Sequence, residues 1–252
     1  MTSGPSDRLR EVYERRAELE YGEPPRPPDP TLDRKFERVW QLVSRQLPCE
    51  AFLDAGCGDG RHLAALTRSG HRPRRVVGTD ISERILETAR VAAAPLEPEL
   101  VQANLEALPF EDEAFDLVLC TQVIEHLLDP AAGVRELARV LRPGGVLVLT
   151  TDNRRALVST TLNAPRAAAV RALRLHPRYK RVEFPHADFT LAEVASLVRT
   201  AGLAVEHQET FRFTLAKPLG RPSVQRVLNR IEKALPAHGF GDIVAVVARR
   251  RT

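Results

Sequence analysis

The chain alternates between short apolar runs and longer stretches in which apolar residues recur every three or four positions. A parallel-sheet strand is buried on both faces and a core-facing helix on one, so the runs read as strands and the stretches as helices. Ala51-Phe52-Leu53 closes the first run and Arg75-Val76-Val77-Gly78-Thr79-Asp80 forms the second. Leu100-Val101-Gln102-Ala103, Phe115-Asp116-Leu117-Val118-Leu119-Cys120 and Val146 to Thr150 follow. Leu203 to Phe213 alternates like a strand, and Asp242 to Ala248 is an apolar final one. Helices are expected over Arg61 to Ser69 and from the cap Ser82 to about Ala94, with Ile85, Leu86, Ala89 and Ala93 turned inward. Another runs from Asp129 or Pro130 to Leu141, stopped by Arg142-Pro143-Gly144-Gly145. Thr190 caps a helix through Val194, Leu197 and Val198 that Gly202 ends. Repeated βα units imply right-handed crossovers, a parallel sheet, and a ligand crevice outside the strands' carboxyl ends.

The ends and the middle depart from this rhythm. Asp7 to Glu20 is charged and helix-favouring, and reads as a solvated helix or as a lid. Pro24-Pro25-Arg26-Pro27-Pro28-Asp29-Pro30 is a stiff linker. Asp33 to Leu47 is an amphipathic helix whose face carries Phe36, Val39, Trp40, Val43 and Leu47, so Trp40 reads as core. Residues 1–30 thus form a lid helix and linker, and 31–252 the main domain. About residues 152–182 lies a basic segment with Arg154, Arg155, Arg166, Arg171, Arg174, Arg178 and Lys180 interleaved with leucines, expected as a helical cap. A second insertion is expected about 217–241, with a helix from Ser223 to Leu235.

The chemistry is densest at Asp54-Ala55-Gly56-Cys57-Gly58-Asp59-Gly60. Glycines at alternate positions let the backbone turn sharply after a buried strand and approach a ligand, and the next helix points its N–H groups at it. Asp80 lies about twenty residues farther on, where an acid reaches ribose hydroxyls. A nucleoside-containing cofactor is expected. A nicotinamide or flavin loop would want G-x-G-x-x-G, and Arg61 occupies its last position.

Composition narrows the setting. At 252 residues, 43% apolar and 28% charged, the chain is an ordinary globular protein long enough to bury a substantial core. It has no apolar run of bilayer length, and Met1 to Arg10 lack a signal-peptide core. Cys49, Cys57 and Cys120 are odd in number and without metal-ligand spacing, which fits reduced thiols in a cytoplasmic protein. A net charge of +4 permits an acidic partner without requiring one.

The Asp54–Gly60 stretch resembles the first motif of class I S-adenosylmethionine-dependent methyltransferases. Asn104-Leu105-Glu106-Ala107-Leu108-Pro109-Phe110 is similar to the acid-A-E-x-L-P-F stretch of the branch that includes ubiquinone and menaquinone biosynthesis and natural-product enzymes. Phe115-Asp116-Leu117-Val118, Glu125-His126-Leu127 and Arg139-Val140-Leu141-Arg142-Pro143-Gly144-Gly145 complete its later motifs in order. The resemblance covers most of Asp33 to Val205. It implies a Rossmann-like, doubly wound α/β sheet of seven strands in the order 3-2-1-4-5-7-6, the last hairpin antiparallel.

It also implies S-adenosylmethionine as cofactor, with Asp54, Gly56, Gly58 and Gly60 framing its methionine part and Asp80 its ribose. Ile81, Asn104 and Leu105 would hold the adenine and Thr121 would line the methyl side. Asn104 replaces the usual acid, and its amide oxygen can still accept a hydrogen bond, more weakly. In many similar enzymes the N-terminal helix is a lid, which would bring Tyr13, Arg16 or Tyr21 to the cofactor's carboxylate. A hydroxyl or ammonium nucleophile must lose a proton, and a base near neutral pKa serves that. His126, just past the fourth strand, is the first candidate, against a purely structural imidazole. His186, in Pro185-His186-Ala187-Asp188-Phe189-Thr190, is the second. Related O-methyltransferases can hold a divalent metal at E-x-x-E-H and a later His. Gln122 replaces the first carboxylate, so no metal site is expected at Glu125, His126 and His186.

The function expected is methyl transfer from S-adenosylmethionine to a small-molecule hydroxyl on a quinol-like, polyketide-like or sugar acceptor. The basic cap reads as a solvated surface, as a contact with an anionic membrane suited to a lipophilic acceptor, or least as a nucleic-acid surface, since Tyr179 is its one aromatic residue. An RNA-modifying enzyme and a non-catalytic cofactor-binding protein are the alternatives from other classes.

Overall fold

The strand that ends in the glycine loop, Ala51–Ala55 (β1), is buried at every position, as an uninterrupted apolar run requires. The computed structural model describes residues 5–20, 34–156, 186–211 and 241–252. The other strands are Arg75–Asp80 (β2), Glu99–Gln102 (β3), Phe115–Thr121 (β4), Leu141–Asp152 (β5), Leu203–Phe211 (β6) and Ile243–Arg250 (β7). They make a seven-stranded sheet in the order β3-β2-β1-β4-β5-β7-β6. β1 to β5 pair in parallel, and β7 lies antiparallel between β5 and β6.

The helices are Pro5–Glu20 (α1), Arg34–Ser44 (α2), Arg61–Arg68 (α3), Glu83–Ala92 (α4), Pro130–Val140 (α5) and Leu191–Thr200 (α6). Side-chain caps open three of them: the Ser82 hydroxyl accepts from Ile85 N, Asp129 from Ala132 N, and Thr190 forms a reciprocal box with Glu193. Consecutive strand residues face opposite sides, so the sheet buries two cores. Phe52, Leu117 and Val148 pack with Val39 and Val43 of α2, Leu63 and Leu66 of α3, and Leu86 of α4. Leu53, Val118 and Leu147 pack with Val134 and Leu137 of α5 and Val194 and Val198 of α6. Trp40 packs half-buried against the first core, in line with the sequence pattern. Removing a fully buried ring such as Phe52 costs about 3–5 kcal/mol.

One boundary differs. Arg142-Pro143-Gly144-Gly145 does stop α5, yet the chain is already in β5 at Leu141 and not first at Val146. Phe115 pairs with Leu141 and Leu117 with Val146, so these residues form an irregularity within the strand that absorbs the offset. The cap beyond Ala156, the proline-rich linker, Tyr21, the second insertion up to residue 240 and the Ser223–Leu235 helix lie outside the described residues.

Candidate functional site

A cavity of about 570 Å³ opens at the carboxyl ends of β1, β2 and β4. Gly56, Gly58, Asp80, Ile81, Asn104 and Leu105 line it, and so do Thr121, His126 and His186. Residues expected from separate stretches of sequence therefore meet on one surface. Asp54 and Gly60, both buried, are not among its lining residues.

The glycine loop is built by the backbone of β2. Gly56 N and Cys57 N both donate to Thr79 O, at 2.8 and 2.7 Å. Gly56 has φ 78°, and a Cβ there would come within 2.3 Å of Val123. Gly60 is a contact with a helix: a Cβ would sit 2.8 Å from Ala89 Cα on α4, so its smallness serves packing. At Gly58 a Cβ would meet nothing within 4 Å among the described residues, which leaves an open cradle.

Asp54 is fully buried, and neither carboxylate oxygen has a hydrogen-bond partner among the described residues. Burial, then the charges of Asp59 and Asp80, push its carboxyl up to about 8. A buried carboxylate left this way is costly, so the position suits a ligand that brings a cation or strong donors. Asp80 is held from both sides: Gly58 N donates to Oδ2 and Ser82 N to Oδ1, each at 3.1 Å. Burial pushes it up to about 6, with those hydrogen bonds opposing. The Asn104 amide is engaged within its own loop, accepting from Glu106 N at 3.0 Å and donating to the Glu106 carboxylate at 3.1 Å. The Thr121 and Thr150 hydroxyls are 2.7 Å apart across β4 and β5.

The other end of the cavity comes from three segments. Gln122 adopts φ 57°, unusual for a side chain of its size, and donates its N–H to Thr150 O at 2.9 Å. That turn leads into Ile124–His126, which buries the Glu125 carboxylate while His126 lines the cavity. Thr151 donates to Glu125 at 2.8 Å, and burial pushes this carboxyl up to about 7. The His126 ring stands 5.2 Å from the His186 ring and edge-on to Tyr13 of α1 at 6.0 Å, centre to centre. His186 is carried by a segment fastened to the end of β5, through the Asn153–Phe189 bridge and the Ala187 N bond to Glu125 O at 2.8 Å.

His186 Nε2 lies 3.1 Å from Asp188 Oδ1 and 3.9 Å from Asp152 Oδ2. The donor atoms of Asp152, His186 and Asp188 all fall within 4.8 Å of one another. Among the described residues this set, and not Glu125 with His126 and His186, has spacing that one divalent ion could bridge. The same arrangement also suits an imidazole oriented by a carboxylate. Sequence reasoning did not single out Asp152 or Asp188 in this role, nor Phe36 and His62, whose rings stack at 5.1 Å beside the cavity. Phe36 read as core because it shares an apolar helical face, and no local pattern marked His62.

Residues 53–149 match the family described as a methyltransferase domain. A "Ubiquinone biosynthesis O-methyltransferase" of Thiobacillus denitrificans is 35% identical over 172 residues, covering 66% of this chain and 70% of that one. A "Probable S-adenosylmethionine-dependent methyltransferase" of Mycolicibacterium smegmatis is 35% identical over 173 residues, 69% of this chain. The chain spans 59% of that protein and 42% of two Mycobacterium tuberculosis proteins that bear the same description. In fold, it resembles a chain of the complex between the Haloferax volcanii Trm112 methyltransferase activator and a methyltransferase. That likeness has a TM-score of 0.68 at 19% identity, over 97% of this chain and 98% of the other. Among the described residues no helix is long and apolar enough to cross a membrane.

Proposed function

The chain belongs to the S-adenosylmethionine-dependent methyltransferases, and on that premise we propose that it methylates a hydroxyl oxygen of a small organic acceptor. The observation that carries the reading is the pairing, on one cavity, of the glycine loop and Asp80 with two imidazoles, His126 and His186. The name of the O-methyltransferase relatives supports an oxygen acceptor, and a quinol-like, polyketide-like or sugar hydroxyl fits the reading. A lipophilic acceptor met at an anionic membrane surface is the form of the reading that the mixed basic and apolar residues of about 152–182 support. Free Cys49, Cys57 and Cys120 support a reducing compartment such as the cytoplasm.

The cofactor supplies a methyl group on a sulfonium with a neutral leaving group, so the protein has mainly to align and deprotonate. The ionised Asp54 would hold the ammonium of the methionine part, which would answer its lack of a hydrogen-bond partner among the described residues. Asp80, its orientation fixed by Gly58 N and Ser82 N, would accept from the ribose hydroxyls. Ile81 and Leu105, which line the cavity, would flank the adenine, and Asn104 would accept from its amino group with the lone pair that Glu106 N leaves. Thr121 lines the methyl side, its hydroxyl fixed by Thr150. His126 takes the proton of the attacking hydroxyl, and His186 shapes the acceptor's end of the cavity.

The test is methyl transfer from labelled S-adenosylmethionine to a panel of phenols, quinols and sugars, with and without a divalent metal. Transfer to one hydroxyl class that His126→Ala abolishes supports the reading. Tight cofactor binding without turnover on any acceptor would favour the non-catalytic alternative.

A further inference from the structure

We infer that Glu14 is the latch that fastens α1, the helix expected as a lid, to α4, so that cofactor exchange requires Glu14 to release α4. The inference rests on the cofactor reading above. It starts from the N-terminus of α4, where free backbone N–H groups need acceptors. Glu14, from a helix far away in sequence, supplies them: its carboxylate accepts from Glu83 N at 2.7 Å and from Arg84 N at 3.4 Å. It also accepts from the Ser82 hydroxyl at 2.8 Å and from Gln102 Nε2 at 3.3 Å. An anion at a helix N-terminus is favoured by the aligned peptide dipoles as well.

These contacts continue into the cavity wall. Ser82 N holds Asp80, whose other oxygen holds Gly58 N, and Gln102 Nε2 also donates to Ile81 O at 3.0 Å. Glu14 therefore braces the residues assigned to ribose and adenine. On the same helix, Leu9 and Tyr13 line the cavity, and Tyr13 meets the His126 ring. Thus α1 touches the cavity at both its nucleoside and its acceptor ends.

The choice of residue is informative. Glu14 lies close enough to Asp80 to add an unfavourable like charge, a cost that an uncharged side chain would avoid. A carboxylate there is understandable if it has a job at α4. Apart from Leu9, the described side chains of α1 are not fully buried, so polar contacts hold the helix more than core packing does. Elements held this way are the ones that open first.

The experiment is stopped-flow release of S-adenosylhomocysteine from the full chain, comparing the wild type with Glu14→Ala, Glu14→Gln and Glu11→Ala. Loss of several charge-assisted hydrogen bonds predicts a release rate raised by about tenfold or more in Glu14→Ala. Glu14→Gln falls in between, since its carbonyl still accepts while its amide faces donors. Glu11, exposed on α1, stays within about twofold of the wild type. Cleavage by trypsin at Arg8, Arg10 and Arg15 should quicken in Glu14→Ala and slow when the ligand binds the wild type.

Equal release rates in the wild type and Glu14→Ala would overturn the inference. If Glu14→Ala fails to fold, Glu14→Gln decides on the same readout. A wild type that binds no S-adenosylhomocysteine would instead sink the cofactor reading.

Discussion

The two ends of the cavity are made differently. The glycine-loop end comes from contiguous stretches at the ends of β1 and β2, and its geometry is set by backbone: Thr79 O receives two loop N–H groups and Asp80 receives Gly58 N. The imidazole end is assembled from the turn after β4, the end of β5 and the segment before α6, joined by side-chain and bridge contacts. Backbone geometry written into a short motif can be shared across a family whose acceptors differ. Side chains gathered from separate segments can vary one at a time, which is where an acceptor is chosen.

That contrast can be broken most severely at Gly56. In Gly56→Ala the new Cβ would lie 2.3 Å from a Val123 methyl at a strained φ of 78°, so the loop or Val123 must shift. The expected outcome is loss of S-adenosylhomocysteine binding by about a hundredfold or more, with a stability loss of roughly 2 kcal/mol, read by calorimetry and denaturant titration. If binding survived intact, backbone geometry would not be what defines that end.

His126→Ala should act on the other end alone. Turnover should fall by about 10²–10⁴-fold, the usual worth of a general base, while S-adenosylhomocysteine affinity stays within about twofold. Affinity falling in step with turnover would show that the two ends are not separable.

The pH dependence sharpens the glycine-loop end. Folding raises the Asp54 carboxyl from 3.8 to about 8, so the native state holds a proton that the unfolded chain has released. Stability of the free protein should therefore fall as pH rises across that window, and Asp54→Asn should flatten the trend. Asp80 and Glu125, raised to about 6 and 7, act in the same direction over narrower ranges. A cationic ligand needs Asp54 ionised, so its affinity should rise with pH by up to about tenfold per unit below pH 8. Calorimetry in buffers of different ionisation enthalpy would detect the proton released.

The smallest expected effect is at Asp188→Asn. Losing the charge beside His186 should change the acceptor's kinetics by about threefold to tenfold and leave cofactor binding untouched. Removing divalent metal with a chelator, in the wild type and this variant, tells whether the Asp152, His186 and Asp188 set acts through an ion or through the imidazole itself.

Legibility in the sequence follows the same division. The strands were readable because apolar runs such as Phe52-Leu53 and Leu117-Val118-Leu119 are too short for a buried helix and recur between helical stretches. The glycine loop and Asp80 were readable because their chemistry depends on spacing within one βα unit. At Gly60 the motif carries a second requirement that sequence alone does not show, a close contact with Ala89 of α4. Glu14 looked like any acid on a solvated helix, and only tertiary packing brings it to Ser82 and Glu83. Asp152 and Asp188 meet through the Asn153–Phe189 bridge, a pairing that no local pattern announces.

The most direct test of the central claim is a calorimetric titration of S-adenosylhomocysteine into the wild type, Asp80→Ala and His126→Ala. The account predicts roughly micromolar binding by the wild type and His126→Ala, weakened about a hundredfold or more in Asp80→Ala, where hydrogen bonds to a charged acceptor are lost. Equal affinity in all of them, or no binding by the wild type, would contradict it.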